Sequence, residues 1–220
     1  EWATTTVSIG RKNKLEIKIT QLLGVLILSR FLISYIYQIS NGLWDIEHSL
    51  PFHLCGMSGI LGGILLLRYN QSIYEFILLL GAPGALWSFL TPQINVLENG
   101  AGFYNPSFMY FDYFISHSAI LFVPLYLAFF LKKRARPLSY YKVFIKANII
   151  IMPSIALINI VIKYLFGYSE VNYMYLMSAP KADNPFVIET WPWYIGIVEL
   201  VAFMHMVIIY LTSLYPNKYF

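Results

Sequence analysis

Six long apolar runs constrain the fold of this chain more than any other feature of its sequence. The runs lie at about residues 18–38, 50–68, 73–90, 107–131, 143–166 and 191–213. Each is close to or above the ~20 residues that an α-helix needs to cross the ~30 Å hydrocarbon core of a bilayer. The sequence therefore predicts an all-α, polytopic membrane helical bundle with about six transmembrane helices.

The charge content agrees with a membrane protein. Charged residues make up 12% of the chain and hydrophobic residues 58%, whereas about a quarter of the residues in a soluble domain are charged. The length suits one compact bundle, so we expect residues 1–220 to form a single integral membrane domain. We recognise no cleavable signal peptide, and the start at Glu1 leaves open whether a further helix precedes the chain.

The basic residues gather at one end of the predicted bundle. This set comprises Arg11, Lys12, Lys14, Lys18, Arg68, Lys132, Lys133, Arg134, Arg136, Lys142, Lys146 and Lys218. The loops at the other end are acidic, with Lys181 as their one basic residue. The positive-inside rule then predicts that both termini are cytoplasmic. Because this asymmetry also accounts for the net charge of +4, we expect no nucleic-acid partner.

Five of the six predicted helices each carry one polar group at a similar depth, in the outer half of the bilayer. These residues are Arg30, Cys55, His117, Asn159 and Glu199. The depths follow from counting inward from the outer end of each helix at about 1.5 Å per residue. Ionisable groups inside a bilayer are costly and are commonly functional, so we predict that this layer lines a site.

The residue types in this layer suggest a nucleophilic site. Cys55, the only cysteine, shares a helical stripe with small residues such as Gly59, which predicts that the thiol faces into the bundle. A thiol becomes a strong nucleophile as the thiolate, and a histidine such as His117 can take its proton. The base needs an orienting group and the reaction an oxyanion donor. The candidates are Glu199 or Asp112 for the first role, and His53, Arg30 or Asn159 for the second.

Structural interpretations of the same residues stay open. Cys55 can be a small buried hydrophobe, and Arg30 with Glu199 can be a structural ion pair. In either case we predict that Arg30 and Glu199 lie in contact, or are joined through a water or Asn159. We interpret His205, deeper in the last run, as structural. His53 lies ~200° from Cys55 on a regular helix, so the two share a face only if the helix start is irregular.

The chain resembles the YwaF-like bacterial membrane proteins, relatives of transmembrane protein 164, over about residues 40–213. The resemblance rests on five elements in the same order: LPFHLC, GAPGALWSFLTP, YFISHSAI, NYMYLMSAPKADNP and WPWYIGIVEL. It implies an integral-membrane acyltransferase of the bacterial plasma membrane, in which Cys55 matches the family cysteine and His117 the family histidine.

The implied reaction moves a fatty acyl chain between phospholipids and lysophospholipids through a thioester on Cys55. We expect no cofactor and no metal ion for such a reaction. Two alternatives stay open at this point. The first is a lipid ester hydrolase, which differs only in its acceptor, and the second is a non-enzymatic carrier or binding protein for a lipid or small molecule.

Overall fold

The computed structural model describes residues 11–92, 106–180, 188 and 190–214. Within these residues the chain forms six helices and no strand. They are α1 (Arg11–Ser40), α2 (Leu54–Leu67), α3 (Gln71–Leu90), α4 (Pro106–Phe129), α5 (Ser139–Phe166) and α6 (Trp193–Leu214). All except α2 contain a segment long and apolar enough to cross a membrane, and α2 is apolar but has 14 residues. The prediction of an all-α membrane bundle is confirmed.

The helix starts are where prediction and structure differ most. Helix α1 begins at Arg11 and α5 at Ser139, earlier than the apolar runs, because a helix can continue beyond the apolar core. Helix α2 begins at Leu54 rather than at residue 50. Pro51 lies in a turn before it, and His53 caps it in an extended conformation (φ −72°, ψ 149°). Cys55 therefore lies in the first turn of α2, not deeper in the helix.

Two helices contain a π-helical segment, Ile77–Gly81 in α3 and Ala147–Ile151 in α5. Each segment is followed by a proline, Pro83 or Pro153. A proline within a helix has no N–H to donate, and its ring clashes with the carbonyl one turn earlier. The wider π turn is one way for a helix to accommodate this clash, and such turns are frequent near functional sites.

Helix α3 is the most central helix, in contact with α2, α4, α5 and α6, and α2 packs against α1, α3 and α4. The contact with α1 depends on small residues. A Cβ atom on Gly59 would lie 2.6 Å from Phe31 Cζ, and one on Gly63 would lie 2.6 Å from Leu28 Cγ. The predicted packing face beside Cys55 is therefore confirmed, since only glycine permits α1 to approach this closely.

The loop between α4 and α5 is fixed to α3 by a buried carboxylate that the sequence analysis did not single out. Glu75 is almost fully buried, and it accepts hydrogen bonds from the Arg136 backbone N–H and from Nη2, both at 2.7 Å. Hydrogen bonding to this carboxylate raises the pKa of Arg136, so the guanidinium stays charged. The pair closes the end of the bundle opposite to the polar layer.

Candidate functional site

A cavity of about 450 Å³ lies in the half of the bundle where α2, α4 and α6 begin and α3 ends. Its walls are mainly apolar and include Leu79, Pro83, Val198 and Ala202. Its polar lining is His53, Cys55, Ser88, Thr91, Tyr113, His117, Tyr175, Tyr194, Glu199 and His205. An apolar cavity with a few converging polar groups is the usual form of a binding or active site. Four residues that the sequence predicted, His53, Cys55, His117 and Glu199, are brought together here.

The thiol of Cys55 contacts a hydroxyl from α3. Its Sγ lies 3.8 Å from Ser88 Oγ, and the Ser88 hydroxyl donates to the Gly84 carbonyl at 3.0 Å. Because that donation uses the one hydroxyl proton, the thiol is the donor in the contact with Ser88. Cys55 is the second residue of α2, so it lies in the turn whose backbone N–H groups have no acceptor within the helix.

His117 lies on α4 with its ring almost fully buried and in a fixed orientation. Its Nδ1 is 2.7 Å from the Tyr113 carbonyl oxygen, and the ring of Tyr113 lies against it with centroids 4.2 Å apart. A carbonyl accepts only from a protonated nitrogen, so Nδ1 carries the hydrogen and Nε2 keeps the lone pair. The imidazole can therefore accept a proton at Nε2. The residue that orients it is Tyr113, rather than Glu199 or Asp112 as predicted.

The thiol and the imidazole line the same cavity, but among the described residues they form no direct hydrogen bond. The thiol is paired with Ser88 and His117 Nδ1 with Tyr113. A separation within ~4 Å or one bridging water, the geometry expected of a nucleophile and its base, stays a prediction.

His53 reaches the cavity because it lies before α2 rather than within it. Its ring packs between Tyr173 and Tyr175, with centroid distances of 5.2 Å and 5.1 Å. The condition stated for a shared face is met, because the helix start is irregular, with Pro51 in a turn before it, and His53 and Cys55 line the same cavity. His53 therefore remains a candidate to stabilise an oxyanion.

The prediction that Arg30 pairs with Glu199 was wrong. Arg30 Nε lies 3.2 Å from Asp112 Oδ1, and Ser34 donates to the other carboxylate oxygen at 3.0 Å. Glu199 accepts instead from Asn148 Nδ2 at 2.9 Å. Helix α1 packs against α2 and α4, which places its arginine beside α4. Residue depth was a sound guide, but it carries no information on which helices are neighbours.

Asn159 lies outside the cavity lining, as do Arg30 and Asp112, so the structure does not bring any of the three to the thiol. The amide of Asn159 is fully buried and bonded to one residue. It donates to the Tyr173 carbonyl at 2.9 Å and accepts from the Tyr173 N–H at 3.0 Å. Its proposed role as an oxyanion donor is therefore not supported.

Tyr173 holds the loop after α5 against the cavity. Its hydroxyl donates to the Ile46 carbonyl at 2.6 Å and accepts from the Leu50 N–H at 3.1 Å. Burial raises the pKa of this phenol to about 12, so it stays neutral and can make both bonds. Met174 and Tyr175 follow with positive φ angles of 55°, a conformation that costs energy in non-glycine residues, and both line the cavity.

Six of the ten polar lining residues were not recognised as site candidates, among them Ser88, Tyr113 and His205. Ser88 and Tyr113 lie within elements quoted for the family resemblance, but a hydroxyl near a helix end is too common to stand out. His205 was interpreted as structural, yet it lines the cavity with Nδ1 2.7 Å from the Val201 carbonyl oxygen. Counting depth for hydroxyl groups as well as ionisable ones would have placed Ser88 in the same outer half as Cys55, but not in contact with it. Within the described residues, no group of three His, Cys, Asp or Glu side chains is arranged to hold a metal ion.

Comparison with known proteins gives one match. The sequence model of the TMEM164 family matches residues 2–210, almost the whole chain. No curated protein and no solved structure matches.

Proposed function

Since this chain belongs to the TMEM164 family, we propose that it is an intramembrane cysteine acyltransferase. It moves a fatty acyl chain between phospholipids and lysophospholipids through a thioester on Cys55. The observation that carries the proposal is the cavity, whose apolar walls enclose the Cys55 thiol and the His117 imidazole, with the lone pair of that imidazole on Nε2. Such walls suit an acyl chain, and the polar groups suit its ester.

The proposed first half-reaction transfers the acyl group to the protein. His117 Nε2 takes the thiol proton, and the Cys55 sulfur attacks the ester carbonyl carbon of a phospholipid. The tetrahedral oxyanion collapses with cleavage of the bond between the carbonyl carbon and the alcohol oxygen. His117 then gives its proton to that oxygen, which leaves as the hydroxyl of a lysophospholipid, and the acyl group stays on sulfur.

The second half-reaction reverses these roles. The hydroxyl of a lysophospholipid loses its proton to His117 and attacks the thioester carbonyl, and the thiolate leaves and regains the proton. His53 and the N–H groups at the start of α2 are the candidates to stabilise the oxyanion in both steps. A hydrolase would use water in place of the lysophospholipid, and its product would be a free fatty acid.

The test is intact-mass analysis of the protein purified with its native lipids, combined with an assay in vesicles of phospholipid and labelled lysophospholipid. We expect an acyl adduct on Cys55 that hydroxylamine removes, and transfer of the acyl chain to the labelled acceptor. Cys55→Ala abolishes both, and His117→Gln reduces both by at least ~100-fold. The control is His48→Gln, which changes an exposed histidine outside the cavity lining whose hydrogen bonds, among the described residues, go to Asp45.

Three outcomes distinguish the candidate functions. Label recovered in a diacyl lipid supports the transferase. Free fatty acid released without labelled product indicates the hydrolase. Retention of wild-type lipid conversion in Cys55→Ala contradicts both enzymatic functions and leaves the cavity as a binding site of a carrier.

A further inference from the structure

We propose that Ser88 is a third residue of the thiol site, whose hydroxyl turns from the helix backbone to the sulfur when the thiolate forms. The proposal rests on the proposed function of Cys55 as a nucleophile. It extends the site from α2 and α4 to α3, and it gives a role to a side chain that the thioester chemistry above does not use.

The resting contacts of Ser88 make this turn possible at small cost. Its hydroxyl donates to the Gly84 carbonyl, four residues earlier in the same helix. Such a bond is supplementary, because a carbonyl one turn earlier already accepts the backbone N–H of the serine in a regular helix. Releasing it leaves no backbone group without a partner. The hydroxyl is therefore free to rotate toward Sγ, which is already 3.8 Å away.

The proton count stays balanced through the step. In the resting site the thiol donates to Ser88 Oγ and Ser88 donates to Gly84. When His117 takes the thiol proton, the sulfur becomes a hydrogen-bond acceptor with one negative charge. Ser88 then rotates and donates its own hydrogen to the sulfur without giving it up. A hydrogen bond to a charged group is stronger than one to a neutral group, so the thiolate is the state that gains most.

Tyr113 links this serine to the base. Its hydroxyl donates to the Ser88 backbone carbonyl at 2.8 Å, while its own backbone carbonyl accepts from His117 Nδ1 at 2.7 Å. One residue of α4 therefore fixes both the orientation of the imidazole and the position of the Ser88 backbone. We assign Tyr113 as a positioning residue, since it acts through His117 and Ser88.

The experiment measures how fast Cys55 reacts with a lipid-like, thiol-selective alkylating probe, and since the chain has one cysteine, every thiol label is on that residue. We expect Ser88→Ala to slow alkylation roughly three- to tenfold, since a lost charged hydrogen bond lowers the thiolate fraction and only part of this is offset by higher nucleophilicity. Ser88→Thr keeps a hydroxyl and restores the rate. Tyr113→Phe gives a smaller loss.

The matched control is Ser154→Ala. Ser154 makes the same bond to the carbonyl four residues earlier, at 2.6 Å, but on an exposed face of α5. The substitution removes a hydrogen bond from a serine hydroxyl to its own helix at a site that does not contact the thiol. We therefore expect no change in the alkylation rate. Equal rates for wild type and Ser88→Ala, or a failure of Ser88→Thr to restore the rate, overturn the role of Ser88. Because alkylation needs no acyl transfer, this result is separate from the test of the acyltransferase.

Discussion

The pair formed by Arg30 and Asp112 is the residue-level feature with the clearest energetic consequence. It joins α1 to α4 inside the bundle, with side chains 20% and 13% exposed. In the part of the chain that the structure describes, Arg30 Nε and Nη1 are buried without a hydrogen-bond partner, and the contact of Nε with Asp112 is an ion pair. A guanidinium that is so poorly satisfied depends on its carboxylate, and a charge left alone at this position is costly.

Arg30→Leu is therefore expected to destabilise the folded protein by about 3 kcal/mol, because it leaves the Asp112 carboxylate without its cation. The measurement is the thermal unfolding of the purified protein in detergent, together with its yield. The double variant Arg30→Leu/Asp112→Leu recovers part of the loss, since it leaves no unpaired charge. Arg68→Leu, at an exposed arginine, is the control. A double variant no more stable than Arg30→Leu contradicts this account.

Sequence could identify the polar residues of the site but not their partners. The depth of Cys55, His117 and Glu199 followed from counting residues, and all three line one cavity. The partner of Arg30 could not be predicted in this way, because depth does not tell which helices are adjacent. The contact between Cys55 and Ser88 could not be predicted either, since it depends on how α2 packs against α3.

At the scale of the helices, the close contact between α1 and α2 depends on Gly63 having no side chain. We expect Gly63→Ala to destabilise the protein by about 1–3 kcal/mol, because the new Cβ would lie 2.6 Å from the branched Cγ of Leu28 and 3.3 Å from the Gly24 carbonyl oxygen. Thermal unfolding in detergent measures the effect.

Gly196 offers a matched control for this change. It also lies in a helix, but a Cβ there meets nothing within 4 Å. Since alanine favours a helix over glycine by up to ~1 kcal/mol, Gly196→Ala is expected to be neutral or stabilising. If the two variants unfold at the same temperature, the close approach of α1 to Gly63 does not contribute to stability.

The helices themselves were predictable from apolar runs, because length and hydropathy alone decide whether a segment can span a bilayer. The start of α2 was not, since a run of apolar residues continues through Pro51 and Phe52 and hides the turn. The π-helical segments were also missed. They depend on a one-residue shift in hydrogen bonding near Pro83 and Pro153, which leaves hydropathy unchanged.

For the whole molecule, the open question is its direction in the membrane. The cavity lies at the end of the bundle opposite to the loop that contains Arg134 and Arg136. By the positive-inside rule we expect that loop and both termini in the cytoplasm, with the cavity in the outer half of the bilayer.

A reporter that is active only in the cytoplasm, fused after Phe220, is expected to be active. The same reporter inserted at Gly42, an exposed turn at the cavity end, is expected to be inactive. If the reporter is active at Gly42 and inactive after Phe220, the orientation is the reverse, and the thiol lies in the inner half of the bilayer.

The cavity as a whole could not be predicted from the sequence. Four of its polar residues were recognisable, but its walls come from apolar side chains of α2, α3, α5 and α6 and from the loop after α5. From the sequence alone, Leu79 and Val198 cannot be distinguished from apolar residues that face lipid. Their shared cavity follows from how the helices pack, and this is a property of the assembled bundle.

The anchoring of Tyr173 bears on how the site exchanges its contents. Both the backbone and the hydroxyl of this fully buried residue are bonded, to Asn159, Ile46 and Leu50. We expect a segment held by these bonds to stay in place rather than to open a path for water or a soluble donor. We expect molecules to arrive instead by lateral diffusion between helices. Under the proposed function, the encounter is then two-dimensional, and we expect the rate to depend on the mole fraction of the lipid in the leaflet rather than on its bulk molarity.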